Sequence, residues 1–103
     1  MATKKLGVVT PLATTNTTLY TVPALKGAVA VLSICNTNTT AVTISVAISA
    51  TVTPTVGEYI EYDVTIPANG VLERSALVLE AGENVIIYAS ASNVAFRLHG
   101  IEE

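Results

Sequence analysis

The sequence predicts an all-β protein, an antiparallel β-sandwich of about seven or eight strands in a jelly-roll or immunoglobulin-like arrangement. Three observations predict it. Turn residues recur about every ten positions, the spacing of a sandwich or barrel. No ten-residue window carries a helical period with caps. Half of the 103 residues are hydrophobic, yet only 5% are aromatic and there is no Trp. The core therefore has to come from Val, Ile, Leu and Ala, whose branched members favour strands. A chain of this length holds one core.

In chain order, residues 1–17 read as an N-terminal arm: Lys4 and Lys5, a short apolar piece, then Thr14-Thr15-Asn16-Thr17. Residues 6–9 add an eighth strand if they pair. The sandwich occupies 18–103. Residues 18–22 form a short strand stopped by Pro23, and 28–36 are apolar on both faces, as in a central or interface-facing strand. Residues 41–50 alternate cleanly: Val42, Ile44, Val46 and Ile48 face the core, while Thr43, Ser45, Ala47 and Ser49 make a small, uncharged outer face. Such a face can pack closely against another chain. Pro54 and Gly57 break the chain within the loop 51–57. The next strand, 59–66, puts Ile60, Tyr62, Val64 and Ile66 on its core side. Pro67-Ala68-Asn69-Gly70 is a turn, because Asn-Gly tolerates positive φ. Strands follow at 71–79, 84–89 and 94–100, separated by turns at 81–84 and 90–93.

Charge bounds the function. Only 13% of residues are charged and the net charge is −3, against about 25% charged in an ordinary soluble domain. Thr, Ser and Asn take their place, and these side chains lose water at lower cost than Lys or Glu. Such a surface suits a partner; the plainer reading is a secreted Thr-rich sandwich. The five basic residues, Lys4, Lys5, Lys26, Arg74 and Arg97, form no cluster beyond the first pair, which argues against nucleic acid. Residues 27–57 hold no charge, but Asn36 to Thr40 and Pro54 interrupt them, so no apolar run of about 20 residues exists to span a membrane as a helix. The first nine residues lack the pattern of a signal peptide.

Little points to catalysis. The single Cys35 excludes an internal disulfide and reads as a buried core thiol. The only histidine, His99, has no nucleophile motif near it and shares with Arg97 the polar face of the last strand. One Cys and one His do not make a metal site. Glu61 and Asp63 are expected on one strand face, about 6.8 Å apart, and with Glu58 and Glu73 could seat calcium or, barely, act as paired carboxylates. No acidic loop or aromatic platform accompanies them, so no cofactor or metal is expected and the protein is expected not to be an enzyme. Asn16-Thr17-Thr18 and Asn38-Thr39-Thr40 match the N-glycosylation pattern, as chance allows in so Thr-rich a chain. Of the four tyrosines, Tyr59 sits at a loop edge and is the contact candidate.

The order of segments carries a resemblance. Leu19-Tyr20-Thr21-Val22-Pro23-Ala24 is followed by Ile34-Cys35-Asn36-Thr37-Asn38. Further on stand Ile66-Pro67-Ala68-Asn69-Gly70-Val71-Leu72-Glu73-Arg74, Leu79-Glu80-Ala81-Gly82-Glu83-Asn84-Val85 and Phe96-Arg97-Leu98-His99-Gly100. Over about residues 18–100 this resembles small β-sandwich virion proteins of tailed bacteriophages, particularly those of cyanobacteria. The resemblance implies a structural protein located in the virion. Its leading form is a homotrimeric capsid decoration (cement) protein that contacts itself and the major capsid protein. A neck, tail or fibre-base component is the alternative, and a host-glycan-binding module a further one. Expected interface residues are Lys4, Lys5, Ser45, Ala47, Tyr59, Arg97 and His99.

Overall fold

The computed structural model describes residues 3–103. Eight strands, β1 (Lys4–Val9), β2 (Thr17–Thr21), β3 (Ala28–Asn36), β4 (Val42–Ser49), β5 (Tyr59–Ile66), β6 (Val71–Leu79), β7 (Asn84–Ala89) and β8 (Val94–Glu102), are joined by loops and one 3-10 turn, Val56–Glu58. They form two four-stranded antiparallel sheets, ordered β1-β8-β3-β6 and β2-β7-β4-β5. The pairs β1–β8, β2–β7, β3–β6 and β4–β5 are those of one long hairpin with its tip between β4 and β5. Rolling that hairpin up brings β8 beside β3 and β7 beside β4. This order is a jelly roll, which resolves the two sandwich topologies the sequence allows.

The core lies between the sheets. β3 alternates buried and more open positions along its whole length, with Ala30, Leu32 and Ile34 inward. Ile44 and Val46 on β4, Val85 and Ile87 on β7, and Phe96 and Leu98 on β8 meet them in one cluster. Each large aliphatic side chain so buried contributes about 1.5–3 kcal/mol relative to exposure. Gly100, in mid-strand on β8, is required by contact: a Cβ there would stand 2.1 Å from the Val29 carbonyl oxygen and 2.7 Å from the Ala30 Cα.

Several expectations need correction. Lys4–Val9, placed by the sequence within the arm, is the edge strand β1, paired with β8 from Lys4↔Gly100 to Val9↔Phe96. An unpaired edge on β8 is thereby covered. The chain beyond it is also fastened, with the Thr14 N–H donating to the Ala89 carbonyl at 2.8 Å. Met1 and Ala2 of the arm lie outside the described residues. Cys35 is half-buried on the outer face rather than in the core, beside Val71 and Ala95. Its neighbour Asn36 is the buried residue there. The Asn36 amide donates to the carbonyls of Thr40, Ile66 and Pro67, and its Oδ1 accepts from Asn38. That part of the resembling segment is thus a clamp on the turn between β5 and β6.

Two ionic contacts lace the edges of the sandwich. Arg74 on β6 meets Glu61 on β5 at 2.6 Å. At the other side, Lys4 lies 3.2 Å from Glu102, which also accepts a hydrogen bond from the Tyr20 hydroxyl of the opposite sheet. Among the described residues no helix is long and apolar enough to cross a membrane.

Candidate functional site: two outer sheet faces

The outward side chains of the first sheet form a continuous face. Cross-strand register sets Val78, Val29 and Ile101 side by side across β6, β3 and β8. The next rows hold Val31, His99 and Lys5, then Glu73, Ser33, Arg97 and Val8, and finally Val71, Cys35 and Ala95. Strand alternation, adjusted by one register shift on β1 after Lys5 and one on β6 opposite Ala30 to Leu32, puts these residues together. Val29 is 54% exposed and Val78 70% exposed, with Val8 and Val71 also open. Lys5, Arg97 and His99, three of the expected interface residues, therefore share one surface with an unusual number of bare valines. Lys4 belongs elsewhere, since its ammonium pairs with Glu102 at the sandwich edge.

The outer face of the second sheet is different. Ser45 and Ala47, expected there as open contact residues, are 4% and 0% exposed. Ala47 is the small member of a row with Tyr59 on β5 and Ile86 on β7. The 3-10 turn also packs against β4. Ala47 and Ile86 are buried without joining the main core. Both β4 residues are closed within the subunit, which removes them as contacts.

A β-bulge explains the rest. Ile44 pairs with Val64 but Val46 with Glu61, so Tyr62 and Asp63 together oppose Ser45. Asp63 takes φ 49°, in the left-handed region, which Asp adopts more readily than most residues. Its N–H, displaced from the ladder, donates to Ser45 Oγ at 3.0 Å. The extra residue turns Tyr62 outward, and a second register shift between Val46 and Ala47 brings Ile60 back to the core side. Tyr62, expected inward, is 66% exposed, and Glu61 no longer shares a face with Asp63: Glu61 reaches Arg74 instead. Glu58 is also occupied, because the Thr55 N–H and hydroxyl bond its carboxylate. The backbone bond first, with side-chain bonds from Ser49 and Thr55, holds that carboxyl below its ordinary range. The acidic group of the sequence is dispersed, and no set of three or more metal-ligating side chains converges among the described residues.

The bulge produces a cleft of about 280 Å³ lined by Asn16, Ser45, Tyr59, Tyr62, Asp63 and Tyr88. The rings of Tyr59 and Tyr62 meet edge to face, 4.9 Å between centroids and 76° between planes. Sequence reasoning singles out Tyr59, Ser45 and Asp63, the last two for other roles, and misses Asn16, Tyr62 and Tyr88. Tyr62 was hidden by the bulge, Tyr88 by distance along the chain, and Asn16 by its place in the expected arm.

No protein-family model matches the chain, and no curated protein or solved structure does either.

Proposed function

We propose that this chain is a non-enzymatic virion structural protein, a capsid decoration subunit that self-associates as a homotrimer and bridges major capsid proteins. The observation that carries the reading is the bare valine face of the first sheet. Exposed Val29, Val78, Val71 and Val8 surround Arg97, His99 and Lys5 in a chain with very few charges to keep such a surface wet. Contiguous exposed apolar patches of a few hundred Å² on small proteins mark interaction surfaces. Four strands, the longest of nine residues, make a face of about 30 by 19 Å. That is roughly 600 Å², most of the approximately 800 Å² that each partner contributes to a standard interface. The occupant is a neighbouring copy of the chain, and because a three-fold ring is heterologous, that copy meets the valine face with a different part of its own surface. A jelly roll is used in viral capsids, lectins and cupins alike, so the virion setting rests on the sequence resemblance together with this face.

Light scattering on the purified protein is the test. The expected result is a trimer that Val29→Lys converts to monomer while the circular dichroism spectrum stays unchanged. A monomer at millimolar concentration that also fails to bind purified phage heads overturns the proposal. Copy number distinguishes the positions within a particle: hundreds of copies mean the capsid, and six to a few dozen mean the neck or tail, as order-of-magnitude expectations from ring symmetry.

A further inference from the structure

We propose that the tyrosine cleft on the second sheet binds a neutral sugar ring. The proposal concerns the face opposite the valine surface and stands apart from any role in assembly.

The cleft combines what a pyranose needs. One side of a sugar ring presents C–H groups, and these pack against an aromatic face. Tyr62 offers such a face to solvent, and the nearly perpendicular Tyr59 ring beside it makes a corner rather than a flat patch. Tyrosine suits this duty because it presents an apolar body with a polar tip. The rim of the sugar carries hydroxyls that must be hydrogen-bonded when water leaves. Around the corner stand the Asp63 carboxylate, the Asn16 amide, the Ser45 hydroxyl and Tyr88. Ser45, only 4% exposed, lies at the floor of the cleft and accepts from the Asp63 N–H. The Asp63 carboxylate has no protein hydrogen-bond partner among the described residues, although its backbone is fixed in the left-handed region. A fixed carboxylate accepts from two vicinal hydroxyls at once, and charge-assisted bonds of this kind are the stronger ones.

Size and charge narrow the ligand. A cleft of about 280 Å³ lies just below the usual range for drug-sized ligands, about 300–1,000 Å³, which suits one ring with its neighbours left in solvent. No basic side chain lines it and Asp63 is acidic, so a carboxylated or sulfated sugar is repelled. Terminal or internal neutral hexose units of a surface polysaccharide have the required chemistry. The bulge is the enabling device: without the extra residue, Tyr62 would turn toward the core and leave the cleft without its exposed ring.

The test is an NMR titration of the tyrosine ring signals with the methyl glycosides of glucose, galactose and mannose, each to about 50 mM, with N-acetylneuraminic acid as the charged control. One open ring site is expected to bind in the millimolar range. At least one neutral glycoside should shift the Tyr59, Tyr62 and Tyr88 signals while Tyr20 and the charged sugar stay silent. Tyr62→Ala should weaken binding about tenfold or more. Asp63→Asn, which keeps the bulge conformation, should weaken it similarly with thermal unfolding unchanged. Val29→Lys on the opposite face should bind sugar normally, so that failure of self-association and failure of sugar binding are read separately. Absence of any shift with all three glycosides overturns the proposal, as does binding that survives both cleft substitutions.

Discussion

β3 and β4 are central strands of opposite sheets, similar in length and both built from Val, Ile, Ala and Ser. On β3 the residues turned from the core are exposed at Val29 and half-buried at Val31, Ser33 and Cys35. Val29 stands between Val78 and Ile101, and it is 54% exposed. On β4 the residues turned from the core are closed. Ala47 lies between Tyr59 and Ile86, and Ser45 lies opposite the bulge and beside Tyr88. The contrast teaches that exposure on a sheet face depends on the cross-strand neighbours as much as on the strand itself. A short side chain flanked by long ones is buried without any second layer. The same contrast divides the chemistry: a dry, valine-rich surface on one side and a polar aromatic cleft on the other.

The same substitution placed on each face sharpens this most. Ala47→Lys should destabilise the fold by about 3–5 kcal/mol, because it forces a charge into a closed site. Val29→Lys, compared at a concentration too low for self-association, should stay within about 0.5 kcal/mol of the parent, as surface changes do. Urea denaturation of the two variants would erase the distinction if both lose stability equally. Gly100→Ala comes next. Its methyl would collide with the β3 backbone at Val29 and Ala30, so a loss of about 3 kcal/mol is expected, at the upper end for overpacking. A midpoint close to that of the parent would mean that β8 can move off β3, and that the valine face is not rigid. Ser45→Ala should cost about 1–2 kcal/mol by stranding the Asp63 N–H. Amide exchange at Asp63 should accelerate, and its failure to do so would sever the bulge from Ser45.

The smallest effect concerns the sandwich edge. The hydrogen bond from Tyr20, then that from Lys4, lowers the Glu102 carboxyl below its ordinary value. Its stabilisation is therefore complete above about pH 4.3 and is lost as pH falls through the depressed folded value. Burial, reinforced by the Glu102 carboxylate, pushes the Tyr20 hydroxyl up. That group favours the folded state below about pH 10 and loses its contribution only as pH rises through the raised value. Glu102→Gln should lower the melting temperature at pH 7 and converge with the parent in acid. A spectrophotometric titration should show one tyrosine resisting ionisation after the others. Parallel melting curves across the acid range would remove Glu102 from the account.

Strand positions were legible because the signals are local. The turn at Asn69 and Gly70, the breakers at Pro54 and Gly57 and the alternation on β4 each act within a few residues, and the observed strands follow them closely. The small outer residues Ser45 and Ala47 looked like contacts because alternation tells direction and says nothing of a neighbour's height. Period two places Tyr62 in the core, but it holds only while the ladder is unbroken, and here the ladder breaks at Tyr62 while Ile60, Val64 and Ile66 keep their expected side.

The sequence by itself determined an all-β chain, the places of the strands beyond the expected arm to within about two residues, and a low content of charge. Tertiary structure alone decided most of the strand pairing, because β6 and β8, the partners of β3, and β7, one partner of β4, lie far away along the chain. It also decided that Asn16, Tyr59, Tyr62 and Tyr88 converge on one cleft while Glu61 and Asp63 part. The physical reason is that pairing register and the bulge at Asp63 depend on how two whole sheets fit together, and a window of residues carries no record of that fit.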